Sequence, residues 1–361
     1  MTASLLADPS SPSVSVARRI SELATDLQAR MADSVEQITE LNSETRIVAL
    51  NARLEAARVG GTHGRAFDVV AKAIQNISLK SASVADHLMT EFQGVLGEMR
   101  ELNEELATRV RGVRLSDLAL ANMDVIDRNL YERSCDVRWW ATDQSVVDAL
   151  RTPNSKTQQR ATERLGQILD SYTVYFDIIV LDLDGQIRAN GRPQNYPVVG
   201  MHQRDQDWFT GALMTADGTE YSQSTVHPSS LCHGERTVVY ACTVRTGGQA
   251  NGEPLGVLAV IFRWDALGQV IVERTPLSKE EWEQSRACIV DAKGIILADT
   301  AKDYGKELML DCWSHIKRSE RGHRIFEIDG VPYCIGHAKA PGFETYCTGW
   351  YSLVLQTREI A

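Results

Sequence analysis

The chain has 361 residues, 43% hydrophobic and 24% charged, with a formal net charge of -10. That length allows two or three domains and a sizeable core. The acidic balance leaves no broad basic field, which argues against nucleic acid and anionic lipid as partners.

Residues 1–14 are rich in Ser, Pro and Asp and are expected to be disordered. They lack a basic region followed by a long apolar core, so they do not read as a secretory signal. No run approaches the ~20 apolar residues of a membrane helix. The expected location is the cytoplasm, with no membrane contact.

From Ile20 the pattern turns helical. Ile20, Ala24, Leu27, Met31, Ser34, Ile38, Leu41, Thr45, Val48, Ala52, Glu55 and Val59 follow steps of three and four. That is a mostly apolar coiled-coil seam. Gly60, Gly61 and Gly64 interrupt it. The seam then resumes at Phe67, Val70, Ile74, Ile77, Ser81, Val84 and Leu88, and after a stutter at Val95, Met99, Leu102, Leu106 and Val113. Two arms of similar length predict an antiparallel helical hairpin over 15–112 with its tip near 58–65. Two helices alone bury little, so the hairpin is expected to dimerise into a four-helix bundle. An ordinary helical pair inside a globule is the competing reading.

A denser helical stretch from Leu115 to Leu150 contains Trp139 and Trp140 and should pack on a domain. Gly112 allows either one long helix into this stretch or a kink. Strand chemistry follows. "DIIVLDLDGQIRAN" reads as strand, Asp-Gly turn and strand. "GTEYSQSTVHP", "RTVVYACTVRT" and "PLGVLAVIFRW" add strands to one antiparallel sheet. A second set comprises "ACIVDAKGIILADT", "GHRIFEIDGVPYCIGHAKA" and "GWYSLVLQT". Each set carries a D-x-x-G turn between strands, which is an internal repeat. The predicted fold is α+β: a helical coiled-coil hairpin, a long helix and two α+β lobes, at about 135–270 and 285–358 within a domain spanning 113–361.

Seven cysteines are scattered without CxxC spacing, so reduced thiols are expected, with no disulfide framework. The pair Cys232–His233 is too little for a metal or haem site. No P-loop, GxSxG, HExxH or clustered acid pair is present, so no enzyme, metal or cofactor is expected.

The stretch Glu44-Thr45-Arg46-Ile47-Val48-Ala49-Leu50-Asn51-Ala52-Arg53-Leu54-Glu55-Ala56-Ala57-Arg58-Val59-Gly60, with Gly64-Arg65-Ala66-Phe67-Asp68-Val69-Val70-Ala71, resembles the hairpin tip of bacterial chemotaxis receptors, the methyl-accepting chemotaxis proteins. Residues 115–358 resemble a double Cache sensor domain with two PAS-like lobes, through the repeated D-x-x-G turns, "DQDWF", "GVLAVIF" and "GWYSLVLQ". The tip resemblance implies contact with a chemotaxis histidine kinase and its coupling adaptor, and packing of homodimers into trimers. Ile47, Leu50, Asn51, Leu54, Glu55 and Arg58 would make those contacts. The chain departs from the tip pattern at Arg46, Arg53 and Gly61, and no methylation site stands out.

The Cache resemblance implies a small-molecule ligand. The amino-acid-binding pattern close to D-R-x-W-Y reads Asp205-Gln206-Asp207-Trp208-Phe209 here, so the arginine clamp for a carboxylate is missing at Gln206. Arg204, Trp208, Phe209, Tyr221 and Tyr240 are the candidate pocket residues, with the aromatics open to a core role instead. A dimeric scaffold that does not touch the kinase is the alternative function.

Overall fold

The structure is a computed structural model that describes residues 12–308, 312–328 and 330–357. Of the segment expected to be disordered, residues 1–11 lie outside the described residues, and 12–14 open the first helix. The chain divides into two compact units, Met1–Arg111 and Gly112–Ala361.

The first unit is helical. Helix α1 spans Pro12–Val59, and α2 spans Gly61–Trp140. Pro12 stands at the first helical position, where its missing N–H costs nothing. The break between the helices is Gly60 alone. Gly60 and Gly61 have φ of 65° and 67°, a region that side chains with a Cβ avoid. Thr62, His63 and Gly64 are already helical rather than part of a longer turn.

Hydrogen bonds tie the two helices across the reversal. Ser78 Oγ donates to the Asn42 carbonyl at 2.8 Å, Arg53 Nε to Asp68 at 3.2 Å, and Arg100 to Gln28 at 2.7 Å. The partner on α2 moves later in the chain as the partner on α1 moves earlier, so the two run antiparallel. The packed face differs from the predicted seam. Ala24, Met31, Thr45 and Ala52 do turn toward α2, but their companions are Gln28, Val35, Asn42, Ala49 and Ala56. Leu27, Leu41 and Val48 are exposed. On α2, Gly64, Ala71, Ser78 and Ala85 are buried at steps of seven, while Phe67, Val70, Ile77, Val84 and Leu102 stay exposed. The reason is steric. Small residues let two backbones approach closely, and a Cβ on Gly64 would strike the Ala56 carbonyl. Leucine and valine do not fit so narrow a gap.

Helix α2 continues through Gly112 without interruption. That glycine exists for packing rather than for a kink, because a Cβ there would enter the His323 ring. Beyond α2 come α3 (Gln144–Arg151) and α4 (Ser155–Asp170), capped by Asp143 and Asn154. The first lobe then forms a six-stranded antiparallel sheet from β1 (Tyr175–Asp182), β2 (Ile187–Asn190), β3 (Ser222–Gln223), β4 (His227–Pro228), β5 (Arg236–Arg245) and β6 (Pro254–Arg263). Its order is β2-β1-β6-β5-β3, with β4 also on β5. Helix α5 (Asp207–Leu213) lies in the long β2–β3 connection.

Two short helices, α6 (Val270–Glu273) and α7 (Lys279–Trp282), lead to the second lobe. Its strands are β7 (Ser285–Val290), β8 (Ile296–Asp299), β9 (Arg321–Ile328), β10 (Val331–Lys339) and β11 (Tyr351–Thr357), ordered β8-β7-β11-β10-β9. Helix α8 (Trp313–Ile316) sits between β8 and β9.

The D-x-x-G repeat folds the same way twice. Asp182 Oδ1 accepts from the Asp184 and Gln186 amides, and Gly185 has φ 81°. Asp291 Oδ1 accepts from the Lys293 and Ile295 amides, and Gly294 has φ 92°. Each is an Asx-supported hairpin turn closed by a glycine that alone tolerates that φ.

The central strands of both sheets, β1, β5, β6, β7 and β11, are buried on two faces, so they read as nearly continuous apolar runs. Alternate residues part company. Ile178, Val180, Val238, Tyr240, Leu258 and Val260 join an inner core with α2, α3, α4 and the second lobe. Ile179, Leu181, Val239, Ala241, Val257 and Ala259 face an outer layer formed by the β2–β5 connection.

Candidate ligand-sensing site

The outer layer of the first lobe holds Trp208 and Phe209. Both project from α5 into the cluster that covers the sheet, beside Val198, Leu231 and Cys232. The two rings stand edge to face, 6.2 Å apart. Near one end of this layer lies a buried polar knot. Asp177 on β1 is fully buried, and so is Asn190 on β2. Asp177 accepts from Asn190 Nδ2 at 2.7 Å and from the amides of Ile178, Gly191 and Arg192. Asn190 Nδ2 also donates to the Tyr196 carbonyl at 2.8 Å. Its Oδ1 is buried without a partner. Burial pushes the Asp177 carboxyl up to about 6, against the pull of those four donors. The chemistry on offer is an apolar, aromatic-walled layer with one unfilled acceptor and one reluctantly charged acid.

The five residues expected to line one pocket fall in three places. Trp208 and Phe209 belong to the outer layer. Tyr240 lies on the opposite face of the same sheet, and Tyr221 packs against that inner core. Arg204 is on the surface, its side chain 70% exposed and 3.9 Å from Asp184. A single cavity lined by all five is therefore not formed.

The inner tyrosines have a different setting. Tyr221 and Tyr240 are tilted neighbours 6.2 Å apart, and Arg138 of α2 lies over the Tyr221 ring at 5.6 Å. The Tyr240 and Tyr346 hydroxyls are bonded at 2.8 Å, and Tyr346 donates to Gln223 at 2.9 Å. Tyr346 belongs to the loop between β10 and β11. Asp127 of α2 grips that same loop, accepting from the Gly342 amide at 2.7 Å and the Thr348 hydroxyl at 2.9 Å. Burial raises the Asp127 carboxyl above its usual range. These contacts latch helix, first lobe and second lobe together. Sequence reasoning missed Asp127, Asp177, Asn190 and Tyr346. Asp177 did leave a signal, being a lone acid inside the apolar run Val174 to Leu181, whereas Asp127 lies among Asp124, Arg128 and Asn129 and left none.

At the hairpin end, Ile47, Leu50, Asn51, Leu54, Glu55 and Arg58 are all exposed on α1. Glu55 and Arg58 approach to 3.9 Å, an exposed pair worth under about 1 kcal/mol. Arg53, one of the departures from the tip pattern, is half-buried on α1. It folds onto α2, reaching Asp68 and Gln75. Arg46 remains exposed.

All seven cysteines are free thiols. Cys232 is buried, and its thiol is pushed up to about 12, which suits an inert apolar residue better than a ligand. Neighbouring His233 takes a left-handed turn with φ 56°, and its Nε2 lies 3.1 Å from the Asn195 carbonyl. No group of three or more metal-ligating side chains occurs among the described residues. No helix among them is long and apolar enough to cross a membrane.

Comparison with known proteins adds three findings. The family described as Cache domain (dCache_1) matches residues 13–361. Methyl-accepting chemotaxis protein IV of Escherichia coli K12 is 37% identical over 103 residues, 28% of this chain. That match spans only 17% of the relative's length. Two solved structures share the fold at a TM-score of 0.51. One is the sensory domain of the Campylobacter jejuni chemoreceptor Tlp3 (CcmL), 13% identical, covering 68% of this chain and 93% of that one. The other is the extracellular domain of rpHK1S-Z16, 14% identical, covering 68% and 94%.

Proposed function

The chain belongs to the Cache domain family, and on that premise we propose that it is a chemoreceptor-like signal transducer. Its first lobe takes a small molecule in the outer layer around Trp208, Phe209 and the Asp177–Asn190 knot. The 12–111 region acts as a coiled-coil hairpin whose end engages a chemotaxis histidine kinase and its coupling adaptor. Ile47, Leu50, Asn51, Leu54, Glu55 and Arg58 form the contact surface.

One observation carries the docking half of this reading. The chain reverses at Gly60, and the contact residues are exposed just before that reversal. The exposed row of Leu41, Val48, Phe67, Val70, Ile77, Val84 and Leu102 supports a homodimer, because a monomeric hairpin would leave it in water. Trimers of such dimers follow the same resemblance. The free thiols support a reducing compartment, and we place the chain in the cytoplasm. Labelling of intact cells with a membrane-impermeant maleimide should then leave Cys347 unmodified.

Signalling requires that the ligand bind two conformations unequally. Capture of the kinase and adaptor by the full chain, compared with the Glu55→Ala/Arg58→Ala double variant, tests the docking role. Retention by the wild type alone is the expected result. Equal retention, or none, leaves the dimeric scaffold as the better account.

A further inference from the structure

Helix α2 ends in two tryptophans with opposite fates. Trp140 is buried, edge to face with Tyr172 at 5.2 Å and Tyr175 at 5.5 Å. Trp139 is 69% exposed. The two flank a cleft of about 260 Å³, lined also by Asp143, Arg164, Gln167 and Tyr172. Its walls come from the end of α2, the turn before α3 and the end of α4 with the residues just after it. The proposed sensing layer lies on the other face of the first sheet, so this is a separate place in the fold.

The charges in the cleft are not equivalent. Asp143 is already occupied. Its Oδ1 accepts from the Ser145 amide at 2.9 Å and hydroxyl at 2.7 Å, and its Oδ2 accepts from Arg164 Nε at 2.9 Å. Those bonds hold its carboxyl below the usual range despite partial burial. Arg164 spends only Nε. Its two terminal amino groups have no hydrogen-bond partner among the described residues. Asp143 thus fixes the guanidinium while leaving its fork free, beside aromatic surface. A free guanidinium fork matches a carboxylate in two parallel bonds. An indole rim matches a flat apolar body. A cation is disfavoured here, because Asp143 is already paired with the Arg164 guanidinium.

We propose that this cleft is a second ligand site, taking a small aromatic carboxylate with its charge on Arg164 and its ring against Trp139. The full-length chain is titrated with benzoate and with phenylacetate, following tryptophan emission. Benzamide and benzylamine serve as uncharged and cationic controls. Saturable quenching by at least one carboxylate is expected, with both controls about tenfold weaker or worse. Trp139→Ala removes an exposed ring, so it should weaken binding without lowering the melting temperature; calorimetry replaces emission for this variant. Arg164→Gln should weaken binding about tenfold. It also breaks the bond to Asp143, so Gln167→Glu provides a second variant that repels the carboxylate while leaving that bond in place. No saturable binding up to about 10 mM overturns the proposal. So does binding that Arg164→Gln and Gln167→Glu leave unchanged, or binding lost in Asn190→Ala but kept in both cleft variants. That last result would assign the carboxylate to the outer layer.

Discussion

In the first lobe, Asp177 and Asn190 stand eight residues before and five residues after Gly185. In the second, Arg286 and Asp299 stand at the same offsets from Gly294. Each pair joins the first two strands of its sheet, and all but Arg286 are fully buried. The frames match, but the electrostatics do not. Asp299 is held by Arg286 at 2.6 Å and 3.0 Å, an ion pair whose carboxylate also accepts from the Ala301 and Asp303 amides. Asp177 faces only a neutral amide and backbone N–H groups. A charge buried with its counter-ion is a structural fixture. A charge buried without one responds to its surroundings. The difference accords with the proposal above, which puts the ligand in the first lobe.

The comparison breaks most severely at Arg286. Arg286→Leu strands the Asp299 carboxylate, and the expected loss is about 3 kcal/mol in urea unfolding at neutral pH. Equal losses from Arg286→Leu and Asn190→Leu would show that the two pairs are equivalent after all.

The next effect is the pH response of Asp177. Its folded carboxyl titrates near 6, above the unfolded value of 3.8. The folded state therefore holds its proton longer than the unfolded chain. This group's contribution is most favourable below about pH 4 and declines as pH rises to about 6. The decline amounts to roughly 2–3 kcal/mol. Asp177→Asn should abolish that decline, and Asn190 Oδ1 accepts from the new amide once the Asn190 amide turns over and gives up its bond to the Tyr196 carbonyl. An unchanged pH profile in the variant would remove Asp177 as the responsive group.

Smaller effects come from the turns. Both glycines have positive φ, but a Cβ on Gly185 would meet the Arg204 backbone at 2.8 Å, whereas one on Gly294 would meet the Trp313 ring at 3.1 Å. Gly185→Ala should cost about 2 kcal/mol and Gly294→Ala about 1–2 kcal/mol. Thermal melts of the two variants check the order. The smallest is Asn190→Ala, at about 1 kcal/mol for the donor lost to Asp177, offset in part by removal of the unpaired oxygen.

The strands and their D-x-x-G turns were legible because β-branched runs and turn residues act locally. The break at Gly60 was legible for the same reason. The packed face of the hairpin was not. An apolar stripe marks where leucine and valine lie, whereas the closest helix approach uses Ala49, Ala56, Ala71 and Ala85, which the stripe ignores. Helix α4 passed unnoticed, since Ala161, Leu165 and Leu169 are its only buried apolar residues amid a polar majority. The pocket residues scattered because β5 is apolar on both faces. With Val238 to Val244 uniformly apolar or small, nothing in the alternation shows that Tyr240 turns inward while Val239 and Ala241 turn outward.

The hydroxyl file between the lobes has a polarity. With the Gln223 amide presenting its oxygen, Tyr346 donates to it and Tyr240 donates to Tyr346. A half-turn of that one amide would present nitrogen instead and reverse both hydroxyl protons. The buried Tyr240 would then accept rather than donate, with its own proton left stranded at about 1–3 kcal/mol. Rotation of a single exposed side chain on β3 would thus be felt at the seam with the second lobe as a switch in the sense of a proton wire.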